Sequence, residues 1–573
     1  MEGILKLEDV RPGMMGEWKT VVSGTEVESY ELRVVGVMEG FIHPDYPVIL
    51  CEILDPGKGG LGPVSGMSGS PVYLEGLLAG AYAYGFPWTK GRALVGVTPI
   101  ELMMDLRAGA GSGESLSAER LGAGRLWAER IAFPETRELP ARLIEGAGIP
   151  GAALRPLVAS GLSGQAFQQV RPWFEARGLE FEAIPAGRMQ PNGADEGSSD
   201  LVPGSPVAAL LTTGDIRLGG VGTVTWREGD EVLAFGHRFL QQGEVSLPMA
   251  SAEIVDVVGS YRLSFKLSNI GSVIGSIDRD LVQGIRGRVG AAPRLVPITV
   301  SVDGGDHSRT YHGGVAEARE LTSLAATVYL AEGIFGQAEG VEEQTILGQV
   351  RLRFNGSRED LVFEGGGIGT AGALSLIGKT NWVLGVLYDN PFLFPEIAAV
   401  EVEVGLRPGR LIGRLERFQV DRTTVAEGDT YRARLAIRDF DQALRFQDIE
   451  IPIARGWAGR ELELLVADGE TLEEMDRARS PYDAGSFTAL LGRLGQLRGD
   501  NHIYLRLLQT SPGIRLEGVE MEDLPESILA LYRSGKTAGK MAALSSTVLW
   551  EKAIPVEGIF RGSHRHPFKV VPQ

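Results

Sequence analysis

At 573 residues the chain exceeds what one hydrophobic core fills, so several domains are expected. An apolar share of 43% beside 23% charged residues is ordinary globular composition and argues against extensive disorder. The formal net charge of −18 argues against a nucleic-acid binder, which needs a basic surface to neutralise phosphates.

Seventy-eight glycines and thirty prolines favour short strands joined by turns over long helices. Residues 10 to 105 read as β. In Val27 to Val35 the alternation puts Tyr30, Leu32 and Val34 on one face, to be buried in a barrel or sandwich. The only cysteine, Cys51, lies in the apolar run Val48 to Leu54 and reads as a buried strand thiol, so no internal disulfide can form. Next comes the tight turn Gly66-Met67-Ser68-Gly69, then a strand (Pro71 to Leu74), a turn at Glu75-Gly76 and a second strand (Leu77 to Tyr82). Such a turn suits a nucleophilic serine, because glycines let successive N–H groups point at one spot. The N–H groups of Gly66 and Ser68 would then form an oxyanion hole beside the Ser68 hydroxyl. The same residue types also build plain hairpin turns; the strand-turn-strand that follows shifts the balance toward a peptidase.

After residue 105 the composition changes. Ala108 to Gly113 reads as a flexible joint, with helices expected at Ala118 to Ile131, Leu139 to Gly146 and Gly164 to Gly178, and an exposed connector from Pro185 to Pro206. From Val207 to about Leu330 strands and glycine-rich turns return. Residues 331 to 395 mix a strand (Thr345 to Phe354) with a helix (Ala371 to Tyr388). Glu396 to Ala454 holds alternating strands, among them Val400 to Val404, Tyr431 to Ile437 and Ile449 to Ile453, which suggest a small sandwich. Residues 455 to 573 alternate strands with helices at Leu472 to Arg479, Ser486 to Leu497 and Pro525 to Ser534.

Three blocks carry a resemblance. Gly66-Met67-Ser68-Gly69-Ser70-Pro71 resembles the nucleophile motif of the SpoIVB-type sporulation serine peptidase family, a branch of the chymotrypsin-like superfamily. Gly219 to Trp226, followed by Val232-Leu233-Ala234-Phe235-Gly236-His237, is similar to the segment holding that family's catalytic histidine. Gly271 to Ile277 with Gly284-Ile285-Arg286-Gly287 matches a third. Together the blocks cover residues 10 to 110 and 205 to 330, less than half the chain. Their order departs from the family, because here the serine block precedes the histidine block. The resemblance therefore implies a circularly permuted, chymotrypsin-like double β-barrel, and triads tolerate such reordering because they are defined by geometry.

The expected division is a serine-bearing half-core (1–110), a helical insertion or linker (111–204), a histidine-bearing half-core (205–330), a connecting α/β region (331–395), a small β-sandwich (396–455) and a C-terminal α+β module (456–573). By the superfamily's geometry the nucleophile is Ser68, with Ser70 structural and Ser65, before the turn, the remaining alternative. His237 is the expected base; His43, in a His-Pro-Asp turn, is its rival. The family places an acid shortly before its serine, which points to Asp55 here, with Asp278 and Asp280 as alternatives. The implied activity is a serine endopeptidase acting on a protein or peptide substrate through an acyl-enzyme; a catalytically silent scaffold or protein-binding module is the other reading. No cofactor or metal is expected, since the histidines are scattered and no His-Glu-x-x-His pattern occurs. No run approaches the ~18 apolar residues of a membrane helix. The family usually works outside the cytoplasm, yet the first residues lack a basic start and an apolar core of signal length. The numbering thus begins after a removed signal, or the protein stays inside.

Overall fold

The computed structural model describes residues 3–42, 44–55, 63–86, 92–107, 157–176, 179, 183–189, 201–260, 264–305, 308–336, 340–356, 358–479, 486–516, 519–521, 524–525, 527–528 and 541–573. It is mainly β and divides into two compact units. The described residues up to 298, with 311–332, form the first; 299–310 and 333–573 form the second.

In the first unit, strands β1 (Met15–Thr20), β2 (Glu28–Met38), β3 (Val48–Ile53), β5 (Pro71–Leu74), β6 (Leu77–Gly85) and β7 (Ala93–Pro99) close an antiparallel barrel; the short β4 (Val64–Ser65) stays outside it. The wall runs β1-β2-β3-β7-β6-β5. Its core follows from the alternation read in the sequence: Tyr30, Leu32 and Val34 point inward with Ile49, Cys51 and Val97. Trp18 is fully buried between Tyr82 and Tyr30, with ring centroids 5.4 and 5.2 Å away. A short helix, α1 (Ile100–Met104), follows β7.

The described part of the expected helical insertion is not purely helical. Helix α2 (Gly164–Glu175), capped by the Ser163 hydroxyl on the Ala166 N–H, has strands around it: β8 (Leu157–Ser160), β9 (Ala183–Pro185) and β10 (Gly187–Arg188). The helices expected at Ala118 to Ile131 and Leu139 to Gly146 lie outside the described residues.

Strands β11 (Pro206–Gly214), β12 (Arg217–Glu228), β13 (Glu231–Ala234), β14 (Gly243–Val258), β15 (Ser264–Leu281) and β16 (Gly284–Val289) form a second closed ring of antiparallel pairings, β11-β12-β13-β16-β15-β14 and back to β11. The two rings share one winding. In each, the first three strands run consecutively round the wall and the last three return in reverse order. A hairpin, β17 (Leu295–Asp303) and β18 (Ser308–Ala316), and helix α3 (Thr322–Phe335) follow in the chain.

In the second unit, β19 (Gln344–Phe354), β20 (Leu361–Ile368) and β21 (Ile397–Pro408) pair antiparallel. Helix α4 (Gly369–Asp389) packs on this sheet, with Leu376 set closely against Gly348. Beyond it the two modules expected at 396–455 and 456–573 are one body. Strands β22 (Ile412–Val420), β24 (Thr430–Asp439) and β25 (Leu444–Pro452) form a sheet with β30 (Ile559–Arg561). The facing sheet holds β23 (Thr424–Ala426), β26 (Glu461–Ala467), β27 (His502–Leu516), β28 (Val519–Met521), β29 (Met541–Pro555) and β31 (Ser563–Val571). Tyr431, Leu435, Ile451, Leu464, Leu505 and Phe568 share a single core. Helices α5 (Gly469–Arg479) and α6 (Phe487–Leu494) lie in the β26–β27 connection. Among the described residues no helix is long and apolar enough to cross a membrane.

Candidate functional site

The serine turn leaves β4, whose Ser65 pairs with Phe265 on β15, and reverses through two left-handed glycines, Gly66 (φ 91°) and Gly69 (φ 96°). The Met67 carbonyl accepts both the Ser70 hydroxyl (2.7 Å) and the Ser70 N–H (3.0 Å), closing the turn around Ser68. Gly69 donates its N–H to the Tyr82 carbonyl (2.7 Å), and Tyr82 donates to that of Ser70 (2.9 Å), tying the turn to the barrel wall. At Gly69 a Cβ would sit 2.0 Å from the Thr223 carbonyl oxygen and 2.5 Å from the Phe235 nitrogen, so only glycine fits there. Ser68 is 2% exposed.

His237 is placed by a bend. After β13 the chain turns through two left-handed residues, Phe235 (φ 72°) and Gly236 (φ 67°). A phenylalanine held at positive φ costs about 1–3 kcal/mol, strain that persists only where packing overdetermines it. That packing is present. The Phe235 ring occupies the space a Cβ on Gly222 would take and meets Phe239 edge-on at 5.9 Å. The Phe235 N–H donates to the Thr223 carbonyl (3.3 Å), and Thr98 Oγ1 donates to the Gly236 carbonyl (2.5 Å). The His237 ring, itself buried, lies 6.1 Å from the ring of Phe235 and 6.4 Å from that of Tyr84. Its Nδ1 is 2.7 Å from the Arg238 carbonyl oxygen. A carbonyl only accepts, so in the neutral ring Nδ1 carries the hydrogen and Nε2 is the basic nitrogen.

Asp280, fully buried near the end of β15, gathers the residues just after His237. Its carboxylate accepts the N–H groups of Phe239 (2.7 Å), Leu240 (2.6 Å) and Gln242 (3.4 Å). Burial raises its pKa above the ordinary carboxylate value, although those N–H groups pull the other way. Asp278 is engaged elsewhere, in a two-pronged pair with Arg286 at 2.8 and 2.9 Å.

One strand joins the serine turn to the histidine bend. Thr223 on β12 donates its N–H to the Ser68 carbonyl (2.8 Å) and its hydroxyl to that of Gly66 (3.0 Å), while its own carbonyl holds Phe235. Thr225 donates its hydroxyl to the Gly69 carbonyl (2.7 Å). The glycine-rich run of β12 thus lets two pieces of backbone approach. Among the described residues no hydrogen bond joins the Ser68 hydroxyl directly to the His237 ring. Asp55 lies half-buried just after β3, where its charge helps raise the pKa of the Tyr30 phenol, mainly a burial effect. His43 lies outside the described residues.

Sequence reasoning missed four residues that touch the serine turn or the histidine: Thr223, Thr225, Arg238 through its carbonyl, and Lys266. The Lys266 stem lies against Gly66, where a Cβ would be 3.1 Å from it, and its buried ammonium donates to Thr20 Oγ1 at 2.7 Å. A signal for it existed. Lys266 falls in the buried alternation of Ser264, Ser268 and Ile270 on β15, an inward face where a lysine is out of place unless its ammonium finds a partner. Among the described residues no cluster of three or more His, Cys, Asp or Glu could hold a metal. Comparison of the chain with protein-family models, curated proteins and solved structures finds no match.

Proposed function

We propose that this chain is a serine endopeptidase that cleaves a protein or peptide substrate through an acyl-enzyme, with Ser68 as nucleophile and His237 as base. The observation that carries the reading is the double grip of Thr223 on the Ser68 turn and on the strained bend before His237. Two separately recognised blocks, far apart in sequence, meet at one residue. Two barrels of identical winding, one supplying the serine and the other the histidine, suit a permuted double-barrel core of the SpoIVB type.

In this mechanism substrate binding brings the Ser68 hydroxyl onto His237 Nε2, a tightening that catalytic hydrogen bonds often need. Nε2 takes the hydroxyl proton as Oγ attacks the scissile carbonyl carbon. The N–H groups of Gly66 and Ser68 receive the oxyanion. Collapse breaks the C–N bond, and the proton passes from Nε2 to the leaving amine. Water then repeats the sequence and frees the acid. The Arg238 carbonyl keeps the Nδ1–H tautomer, and Asp280 steadies the following segment as a positioning residue; the acid assigned in this reading is therefore Asp280, in place of Asp55. Acyl transfer by this route needs no cofactor. The family resemblance also implies work outside the cytoplasm.

The test is a fluorophosphonate adduct mapped by peptide mass spectrometry. The reading expects the adduct on Ser68, its loss in Ser68→Ala and its retention in Ser70→Ala. A folded wild-type protein that takes up no adduct would instead be the silent scaffold.

A further inference from the structure

The second unit contains an open cavity of about 500 Å³, within the range of small-ligand sites. Among the described residues it is lined by apolar Ile368 and Ile412, by the ring of Phe440, by Arg410, Arg414 and Arg438, and by Gln442 and Asp439, whose carboxylate is paired with Arg445. The three arginines are not equivalent. Arg438 is committed: it holds the Glu416 carboxylate through two nitrogens and donates to the Gln442 carbonyl at 3.0 Å. The guanidinium of Arg410 lies 5.5 Å over the Phe440 ring, a contact that orients it without neutralising it. Arg414, opposite Arg438 in the β22–β24 register, has no carboxylate partner among the described residues, and neither has Arg410. Arg434 and Arg445 of this sheet are paired, with Asp448 at 2.6 Å and with Asp439 at 2.9 Å, whereas Arg417, elsewhere on β22, is like Arg410 and Arg414 in having no carboxylate partner among the described residues. Phe440 is 55% exposed, a large apolar surface left uncovered beside two uncompensated cations on a chain of net charge −18.

We infer that this cavity binds an organic carboxylate with an apolar body, either a free aryl or alkyl acid or the C-terminal residue of a peptide. Arg414 takes the carboxylate, in the two-pronged geometry a guanidinium favours, and Arg410 supports it. The apolar body lies on Ile412 and Phe440. Nothing in this assignment depends on Ser68, so it stands or falls separately from the peptidase reading.

The test is calorimetric titration of the full chain with N-acetylphenylalanine, its amide, and acetate. The inference expects saturable binding of the acid, with the amide and acetate each at least about tenfold weaker, because each lacks one half of the recognition. Arg414→Gln should weaken the acid about tenfold, while Arg434→Gln, on the adjacent strand, leaves it unchanged. A peptide ending in phenylalanine that binds more tightly than the free acid assigns the site to a chain terminus; equal binding assigns it to a small acid. Failure of the acid to saturate at millimolar concentration, equal binding of acid and amide, or an Arg414→Gln variant that binds like wild type would each overturn the inference.

Discussion

Gly222→Ala adds one methyl group at the point where the two halves of the proposed site approach. Its Cβ would lie 2.5 Å from two atoms of the Phe235 ring and 3.0 Å from the Ser68 carbonyl oxygen. Carbon atoms rest at about 3.5–4.0 Å, so the ring must retreat by about 1 Å or more. Phe235 is already strained at positive φ and is the first residue of the bend that aims His237. The turn cannot retreat cheaply either, because Thr223 and Thr225 fix the carbonyls on both sides of Ser68. Overpacking of this kind costs about 1–3 kcal/mol, and a displacement near 1 Å at reacting groups can slow chemistry about a hundredfold. Gly220→Ala is the matched control, since its Cβ would press only on Phe239, 2.7 Å away. The assays are the thermal midpoint and the second-order rate of fluorophosphonate labelling. Both variants should melt a few degrees lower, and Gly222→Ala should label far more slowly than Gly220→Ala. Equal labelling rates in the two variants would refute the claim that Gly222 couples the serine turn to the histidine bend.

Thr223→Val keeps the shape but removes the donor to the Gly66 carbonyl; stability should fall by about 1–3 kcal/mol and labelling should slow, and an unchanged melting profile would show that hydroxyl to be idle. Cys51 is fully buried and burial pushes its thiol up to about 12, so iodoacetamide at pH 8 should modify it only as fast as the first barrel opens; rapid modification of folded protein would contradict its placement. Asp280 binds its proton more tightly folded than unfolded, so its contribution to stability is present below the ordinary carboxylate pKa and is lost as pH rises through the raised folded value. The stability difference between wild type and Asp280→Asn should therefore move against wild type over that rise, and a difference independent of pH would show that the carboxyl is not perturbed.

Much of this fold was legible locally. The alternation of Tyr30, Leu32 and Val34 named an inward face, and the strand limits at Pro71 and Leu74 were given by the turn residues beside them. The left-handed glycines of the serine turn follow from their place around Ser68. What escaped is long-range. The pairings of β22 with β30 and of β23 with β31 merge two expected modules into one sandwich, and no local pattern encodes partners so distant. Asp280 stood among the alternative acids, but it acts on backbone N–H groups rather than on a side chain, and no spacing of residue types announces that contact. Phe235 lies in a conformation its own propensity opposes, chosen by the pocket over Gly222.

The most direct test of the account is the rate at which a fluorophosphonate labels Ser68 in wild type and in His237→Ala, both shown to be folded by the inertness of Cys51. If His237 activates Ser68 from the opposite barrel, removing the imidazole should slow labelling by about 10²–10⁴-fold with the thermal midpoint little changed. Equal rates in the two proteins would contradict the pairing of these residues.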